Sequence, residues 1–421
     1  MNQPTILGDK TCEQIRNGFL VDIVVIFVMN TICAGSYLAG LLQYAGVSEE
    51  LVGLISAVPV MAAVFQVLGA AAVSAMPNKK LAVCLGIGIH RVLMAVIFLI
   101  PVALGRTPLA QLLTVAAYTL GHFAQAFATP QFSTLLVRVT PEDIRSSYLS
   151  TRERYGLVAA ALSAILASFL LDGLGLRGLY RLAFLLIGLM LLLGAVVNVL
   201  AVCRMEMPVR GPVRRLSIKA LLAPMGDSGY RKVILLLVLW QVAHQSWSPF
   251  TGIYLLNNMQ ASYTLLGVVA VVCSFEKALL VKYWGRFVSR TSWEKALTWA
   301  MVVYGVTTLL FLFITPGNVG WMYTLQQVLA NIAWSFLGIG LFNIQCRYIE
   351  DEDKSLHLGV GAAISGLAGF AATMVATPVY AAVNHAGWAV NGQQLLVVFG
   401  VCCAVAIVAL LHRAFVRPMG E

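Results

Sequence analysis

The chain has 421 residues, 60% of them hydrophobic and 11% charged, with a formal net charge of +10. Soluble domains carry about 25% charged residues, so the composition excludes one and leaves an all-α integral membrane protein. The positive charge sits in short loops on one side of the apolar runs, which assigns it to topology and anionic lipid and excludes nucleic acid as a partner.

The first run, Gly18 to Leu42, is too long for a cleavable signal peptide, and Lys10 and Arg16 precede it beside Asp9 and Glu13. Twelve apolar spans are expected, at 18–43, 49–75, 81–104, 109–136, 143–171, 178–203, 231–256, 263–286, 294–315, 319–346, 355–383 and 392–415. Each is long enough to cross about 30 Å of hydrocarbon, which needs roughly 20 helical residues. The connections are short except for Arg204 to Tyr230, which holds Arg210, Arg214, Arg215 and Lys219 among three prolines. It reads as a basic linker, 204–230, between a six-helix half at 1–203 and a second at 231–421. Only Arg106, Arg177 and Arg181 fall on the side opposite the basic loops, so both termini and the linker are expected in the cytoplasm. The eight cysteines avoid the external loops and are expected to be free thiols; no Cys/His spacing suggests a metal, and no cofactor is expected.

Charges inside the spans carry the next expectations. His90 and Arg91 lie near the middle of span 3. Arg91 is expected to turn inward, toward Asp22, about one turn inside the cytoplasmic end of span 1. In span 5, an apolar second half ends at Asp172, while the first half bears Arg145, Arg152, Glu153 and Arg154. If the helix starts near Glu142, Arg152 lies about 15 Å deep at 1.5 Å per residue. A charge there costs on the order of 3 kcal/mol unless it meets water or a partner. Span 8 carries Glu276 and Lys277 about ten residues before Arg286, which places Glu276 at a matching depth.

The two halves repeat each other. Ser48 opens span 2 and Ser262 opens span 8, at an offset of 214, each placed to cap its helix. Gly69 and Lys79 correspond to Gly285 and Lys295 at an offset of 216, and spans 5 and 11 open alike, PEDIR at 141–145 and EDEDK at 350–354. Repeats of six spans in one direction make two pseudo-symmetric halves about an axis along the membrane normal.

The loop from Trp284 to Lys295 resembles the loop between the second and third helices of a half in the major facilitator superfamily, Gly-x-x-x-Asp-Arg-x-Gly-Arg-Arg. Gly285 and Arg290 match, Ser289 and Ser292 depart, and Val73 stands at the aspartate position of the first-half copy. Pro141, Arg145, Tyr148, Arg152, Leu171 and Asp172 fit a further pattern of bacterial members. The resemblance implies a secondary transporter working by alternating access. Helices 1, 4, 7 and 10 then line a cavity, 2, 5, 8 and 11 form the seam between halves, and the rest lie outside.

On that assignment the substrate-binding candidates are Asn30 and Tyr37 on span 1, His122 and Gln125 on span 4, Trp240, His244 and Gln245 on span 7, and Asn331 and Trp334 on span 10. Amides and imidazoles hydrogen-bond a solute, and aromatic rings stack on its apolar face; the competing reading is that these groups join helices to one another. No cavity helix has a strong midplane charge, so a neutral, amphipathic or aromatic solute is expected. Helices 5 and 8 touch in the family fold, so Arg152, or alternatively Arg154, is expected to pair with Glu276, and Lys277 with Glu153. Tyr148 and Gly156 lie one turn to either side of Arg152 and share its face. Asp22, His122, His244 and Glu276 are candidates for proton coupling; facilitated diffusion and sodium coupling stay open. The expected protein is a monomeric plasma-membrane carrier. A solute-sensing receptor and a lipid flippase are the alternatives; an enzyme is not expected, because no nucleophile–base or metal constellation occurs.

Overall fold

A computed structural model describes residues 9–76, 78–206, 223–347, 354–386 and 390–417, and among them every regular element is a helix. The basic residues Arg210, Arg214, Arg215 and Lys219, and the whole acidic run at 350–353, lie outside the described residues. In chain order the helices are α1 (Asp9–Ile32), α2 (Gly35–Tyr44), α3 (Glu49–Ser56), α4 (Val58–Ala62), α5 (Val64–Ala75), α6 (Lys79–Leu104), α7 (Pro108–Val139), α8 (Glu142–Gly175), α9 (Tyr180–Arg204), α10 (Ser228–Gln245), α11 (Thr251–Asn257), α12 (Tyr263–Arg290), α13 (Trp293–Leu309), α14 (Val319–Arg347), α15 (Lys354–Ala386) and α16 (Gly392–Leu411).

Eleven helical stretches among the described residues are long and apolar enough to cross a membrane. The fourth expected span, α7, is 32 residues long yet is not one of them. Length is not its deficit; Gln111, Thr114, His122, Gln125, Thr129 and Gln131 dilute its apolarity.

Three expected spans are not continuous helices. The first breaks after Ile32, where Gly35 takes a positive φ of 52°, a conformation open to glycine at little cost. The second is interrupted before α4, where Pro59 removes an N–H and would crowd the carbonyl one turn back. The seventh breaks at Ser246–Trp247, ahead of a short 3₁₀ turn containing Pro249. A carbonyl freed at such a break finds no water in a bilayer and needs a donor from the protein. Tyr118 donates to the Cys33 carbonyl at 3.4 Å. Thr373 donates to the Gln245 carbonyl at 2.8 Å, and Gln393 to the Trp247 carbonyl at 3.2 Å.

The described chain forms two compact units. In the first, spanning Met1–Gly46 and Ala62–Leu216, α6 packs on α7 and α9, and α1 packs on α8 and α9. Small residues set the closest approach: a methyl at Gly69 on α5 would stand 2.1 Å from the Phe127 carbonyl oxygen on α7. Its sequence counterpart Gly285 meets nothing within 4 Å, so the repeated glycine does not repeat its packing.

The second unit comprises Val47–Met61 and Ser217–Glu421. Residues from the opening of the second span therefore join it: α3 packs on α15 and on the 3₁₀ turn Ser248–Phe250. Glu49 accepts a hydrogen bond from Asn257, and Gly53 faces the Phe250 ring, which stacks on Tyr380 with centroids 4.8 Å apart. Ser262 caps α12 by accepting from Leu265 N at 3.1 Å. Ser48 holds the equivalent position on α3 but makes no capping bond; Glu49 and Glu50 in the first turn offset the helix dipole there.

Candidate functional site

The second unit gathers five aromatic side chains around the end of α10. Trp240 and His244 are one turn apart on α10, and their rings lie nearly parallel with centroids 5.5 Å apart. Trp334 of α14 stands edge-on to both, at 5.5 Å from Trp240 and 4.8 Å from His244. Trp247, just past the break, approaches His244 at 5.8 Å. Tyr304 of α13 closes the group, 5.1 Å from Trp240. Aromatic side chains at these separations prefer tilted and edge-on arrangements.

One hydrogen-bond chain orders the cluster. An indole N–H can only donate, so Trp247 Nε1 donates to the Tyr304 hydroxyl at 3.2 Å. The same hydroxyl lies 3.5 Å from His244 Nδ1. His244 and Trp334 are each half-buried while Trp240 and Trp247 are buried. The site thus offers an imidazole edge and an indole surface on an apolar wall.

Trp240, His244 and Trp334 are brought together as the sequence reading placed them. Tyr304 was not among its candidates, because the resemblance puts the ninth helix outside the cavity. The available signal was a tyrosine inside an apolar span, whose buried hydroxyl needs a partner. Gln245 lies next in the chain to His244 and is half-buried; its backbone carbonyl takes the Thr373 bond.

Other candidates serve elsewhere. Asn331 Nδ2 donates to the Cys273 carbonyl at 2.6 Å and to Glu276 Oε2 at 3.3 Å, tying α14 to α12. Tyr37 is buried, and its hydroxyl bonds the Ala164 carbonyl and Ser168 Oγ on α8 at 2.9 and 2.7 Å. Asn30 is exposed and Gln125 half-buried. His122 packs edge-on to His90 and Tyr118 inside the first unit. The pair expected between Arg91 and Asp22 is present at 2.8 Å, with both side chains buried. An ion pair not anticipated links Arg347 Nη1 and the fully buried Glu294 Oε1 at 2.8 Å.

The fifth span is one helix from Glu142, and Tyr148, Arg152 and Gly156 do share a face. That face packs on α1. Tyr148 donates to the Arg16 carbonyl at 2.6 Å, the Arg152 guanidinium lies 6.0 Å from the Phe19 ring centroid, and Gly156 makes room for the Phe27 ring. Buried Arg152 Nε has no partner among the described residues. Arg154 turns outward onto its own helix, donating to the Ser150 carbonyl at 3.4 Å and Thr151 Oγ1 at 3.3 Å. Glu276 is half-buried and Lys277 exposed.

Eleven helical stretches long and apolar enough to cross a membrane among the described residues describe a multi-pass membrane protein. The chain belongs to the Major Facilitator Superfamily, whose sequence profile matches residues 23–373. It is accordingly a transport protein and not an enzyme. No curated protein matches it. Among solved structures, it is similar to the nucleoside transporter NupG at 15% identity, covering 96% of this chain and 99% of that one, with a TM-score of 0.69. A bacterial homologue of the iron transporter ferroportin in the inward-facing state matches at 15% identity over 96% and 98%, with a TM-score of 0.69. A D-xylose–proton symporter matches at 13% over 94% and 97%, with a TM-score of 0.65. A nucleoside transporter and a D-xylose–proton symporter share one fold, so the cargo of this chain is a matter for its own side chains.

Proposed function

We propose that this chain is a secondary transporter of a small organic solute with a flat, largely apolar face and one hydrogen-bonding group. It works by alternating access and is coupled to protons. The observation that carries the reading is the cluster of Trp240, His244, Trp247, Tyr304 and Trp334, in which the Trp247–Tyr304–His244 chain orients the imidazole. Indoles stack on a planar ring, and the imidazole hydrogen-bonds a polar group on it. Strongly charged solutes fit poorly, because none of these five side chains is acidic or a permanent cation.

The wider reading has twelve spans in two six-helix halves, 1–203 and 231–421, joined by a basic linker over 204–230. The protein is monomeric in the plasma membrane, with both termini cytoplasmic. The charge asymmetry of the loops supports the orientation. Asn30 and Gln125 are assigned to the solute path with the aromatic cluster, and Asp22, Glu276 and the histidines to coupling. Arg152 and Glu276 are assigned to a cytoplasmic gate, supported by Arg152 Nε, buried and without a partner among the described residues, and by Glu276 accepting from the Asn331 amide.

The test is a melting screen of purified protein against neutral and aromatic solutes. A solute at about 100 times its Kd adds roughly 2.7 kcal/mol to the folded state. A planar solute bearing such a group is expected to raise Tm by several degrees, and His244→Ala to abolish that shift with the solute-free Tm nearly unchanged. A hit that keeps its full shift in His244→Ala and Trp334→Ala would sink the site. Uptake of the hit into sealed vesicles then separates a carrier from a receptor.

A further inference from the structure

The first unit carries an apolar groove that neither the aromatic site nor the gate uses. It lies where α1, α8 and α9 meet, and its larger stretch encloses ≈ 400 Å³. Gly194 and Ala159 leave the room: a methyl at Gly194 would meet only Val25, at 3.7 Å, an ordinary contact. Leu162 and Leu193 line the groove and are 64% and 68% exposed, so it opens outward. Its one hydroxyl, on Ser163, donates to the Ala160 carbonyl of its own helix at 2.9 Å. The rest of the lining is apolar, so the groove offers little to a polar solute. All three helices are long and apolar enough to cross a membrane, which makes lipid the medium around them.

A second stretch continues it past Leu20 and Tyr155, sharing Val24, Val25 and Val197 with the first. From Leu166 to Tyr155 the groove follows α8 for about 16 Å at 1.5 Å per residue. That is about half of a hydrocarbon core of about 30 Å, the depth of one leaflet. Two guanidiniums stand beyond this end. Arg204 closes α9 two turns past Val197, on the same helix face. It is exposed and in no ion pair among the described residues. Exposed Arg154 folds back toward the start of α8, donating to the Ser150 carbonyl and to Thr151 Oγ1, and Thr151 lies one turn before Tyr155 on the groove face. Long cationic side chains bend in this way to reach the polar edge of a bilayer. α1 adds exposed Lys10 and Glu13 on the stripe of Val24, and these two offset each other. Glu153 points about 200° away from Tyr155 on α8, and Glu206 lies past the end of α9.

The geometry points to a site for one anionic phospholipid, with an acyl chain in the groove and the phosphate toward Arg154 and Arg204. The chain occupies the apolar stretch from Leu166 to Tyr155, whose length matches one leaflet. The headgroup then falls one to two turns further on, at the level of the two guanidiniums. Arg154 Nη1 takes no part in the bonds to its own helix, and a guanidinium fork suits phosphate oxygens. A zwitterionic headgroup gains less, because its own cation meets the same two arginines.

The experiment is native mass spectrometry of the whole protein, released from nanodiscs that hold phosphatidylglycerol and phosphatidylcholine of identical chains in equal amounts. One phosphatidylglycerol is expected to stay bound in preference to phosphatidylcholine. A basic residue near an anionic lipid surface contributes ~1 kcal/mol, roughly a five-fold preference. Arg154→Gln and Arg204→Gln should each lower the preference by that factor, and the double variant should bring it close to parity. Gly194→Phe, which fills the groove from α9, should cut the retention of both lipids. Where that variant fails to fold, Ala159→Leu fills the groove from α8 and should do the same. A parent that retains the two lipids alike overturns the proposal, as does a preference that survives the double arginine variant. Retention unchanged in a folded groove-filling variant places the lipid elsewhere and overturns it too.

Discussion

Asp22 and Arg91 show how far a single residue can be argued from an apolar sequence. A mid-span arginine is tolerable only against a partner, and the nearest carboxylate at a compatible depth is Asp22; the two meet at 2.8 Å. Breaking a buried pair from one side costs about 3–5 kcal/mol because the surviving charge is stranded. Arg91→Leu is therefore expected to lower Tm by several degrees, and adding Asp22→Asn should restore part of the loss. A single variant that melts with the parent would show that the pair contributes nothing to stability. Tyr304 is the contrary case. Nothing local distinguishes it from a tyrosine filling space, and its role comes from Trp247 and His244, 57 and 60 residues away in the chain.

At the scale of elements, the length and number of apolar runs were legible, and the interruptions within them were less so. Pro59, Pro249 and Gly35 each announce a possible break, but a proline also stands inside α6, α7 and α15 without ending them. What decides is whether another helix offers a donor to the freed carbonyl, as Thr373 does to that of Gln245. The two repeated glycines make a matched experiment. Gly69→Ala forces a methyl onto the Phe127 backbone, which cannot rotate away, so α5 and α7 must part at a cost of about 1–3 kcal/mol. Gly285→Ala meets open space and gains helix propensity worth up to about 1 kcal/mol. Melting temperatures should therefore move in opposite directions. Equal losses at both would mean that the glycines share a role the packing does not show.

At the scale of the whole molecule, the proposed cytoplasmic gate makes a coupling prediction. Arg152→Glu and Glu276→Arg should each raise the inward-open population read by cysteine accessibility, and the double exchange should recover at least part of the change. Strict additivity of the two singles would show that the residues are uncoupled. The shared face of Tyr148, Arg152 and Gly156 followed from a 3.6-residue period, but its neighbour did not: it packs on α1 of its own unit. Composition and span length alone determined an all-helical, multi-pass membrane protein, because a bilayer admits few backbones that satisfy their own hydrogen bonds. The loop motif and repeats pointed to its superfamily. Only the tertiary structure decided that Tyr304 orients His244, that Asn331 and Tyr37 bind helices together, and that the opening of the second span packs with the second unit. Those outcomes depend on which distant group reaches a given polar atom, and a one-dimensional pattern of apolar and polar residues does not encode that distance.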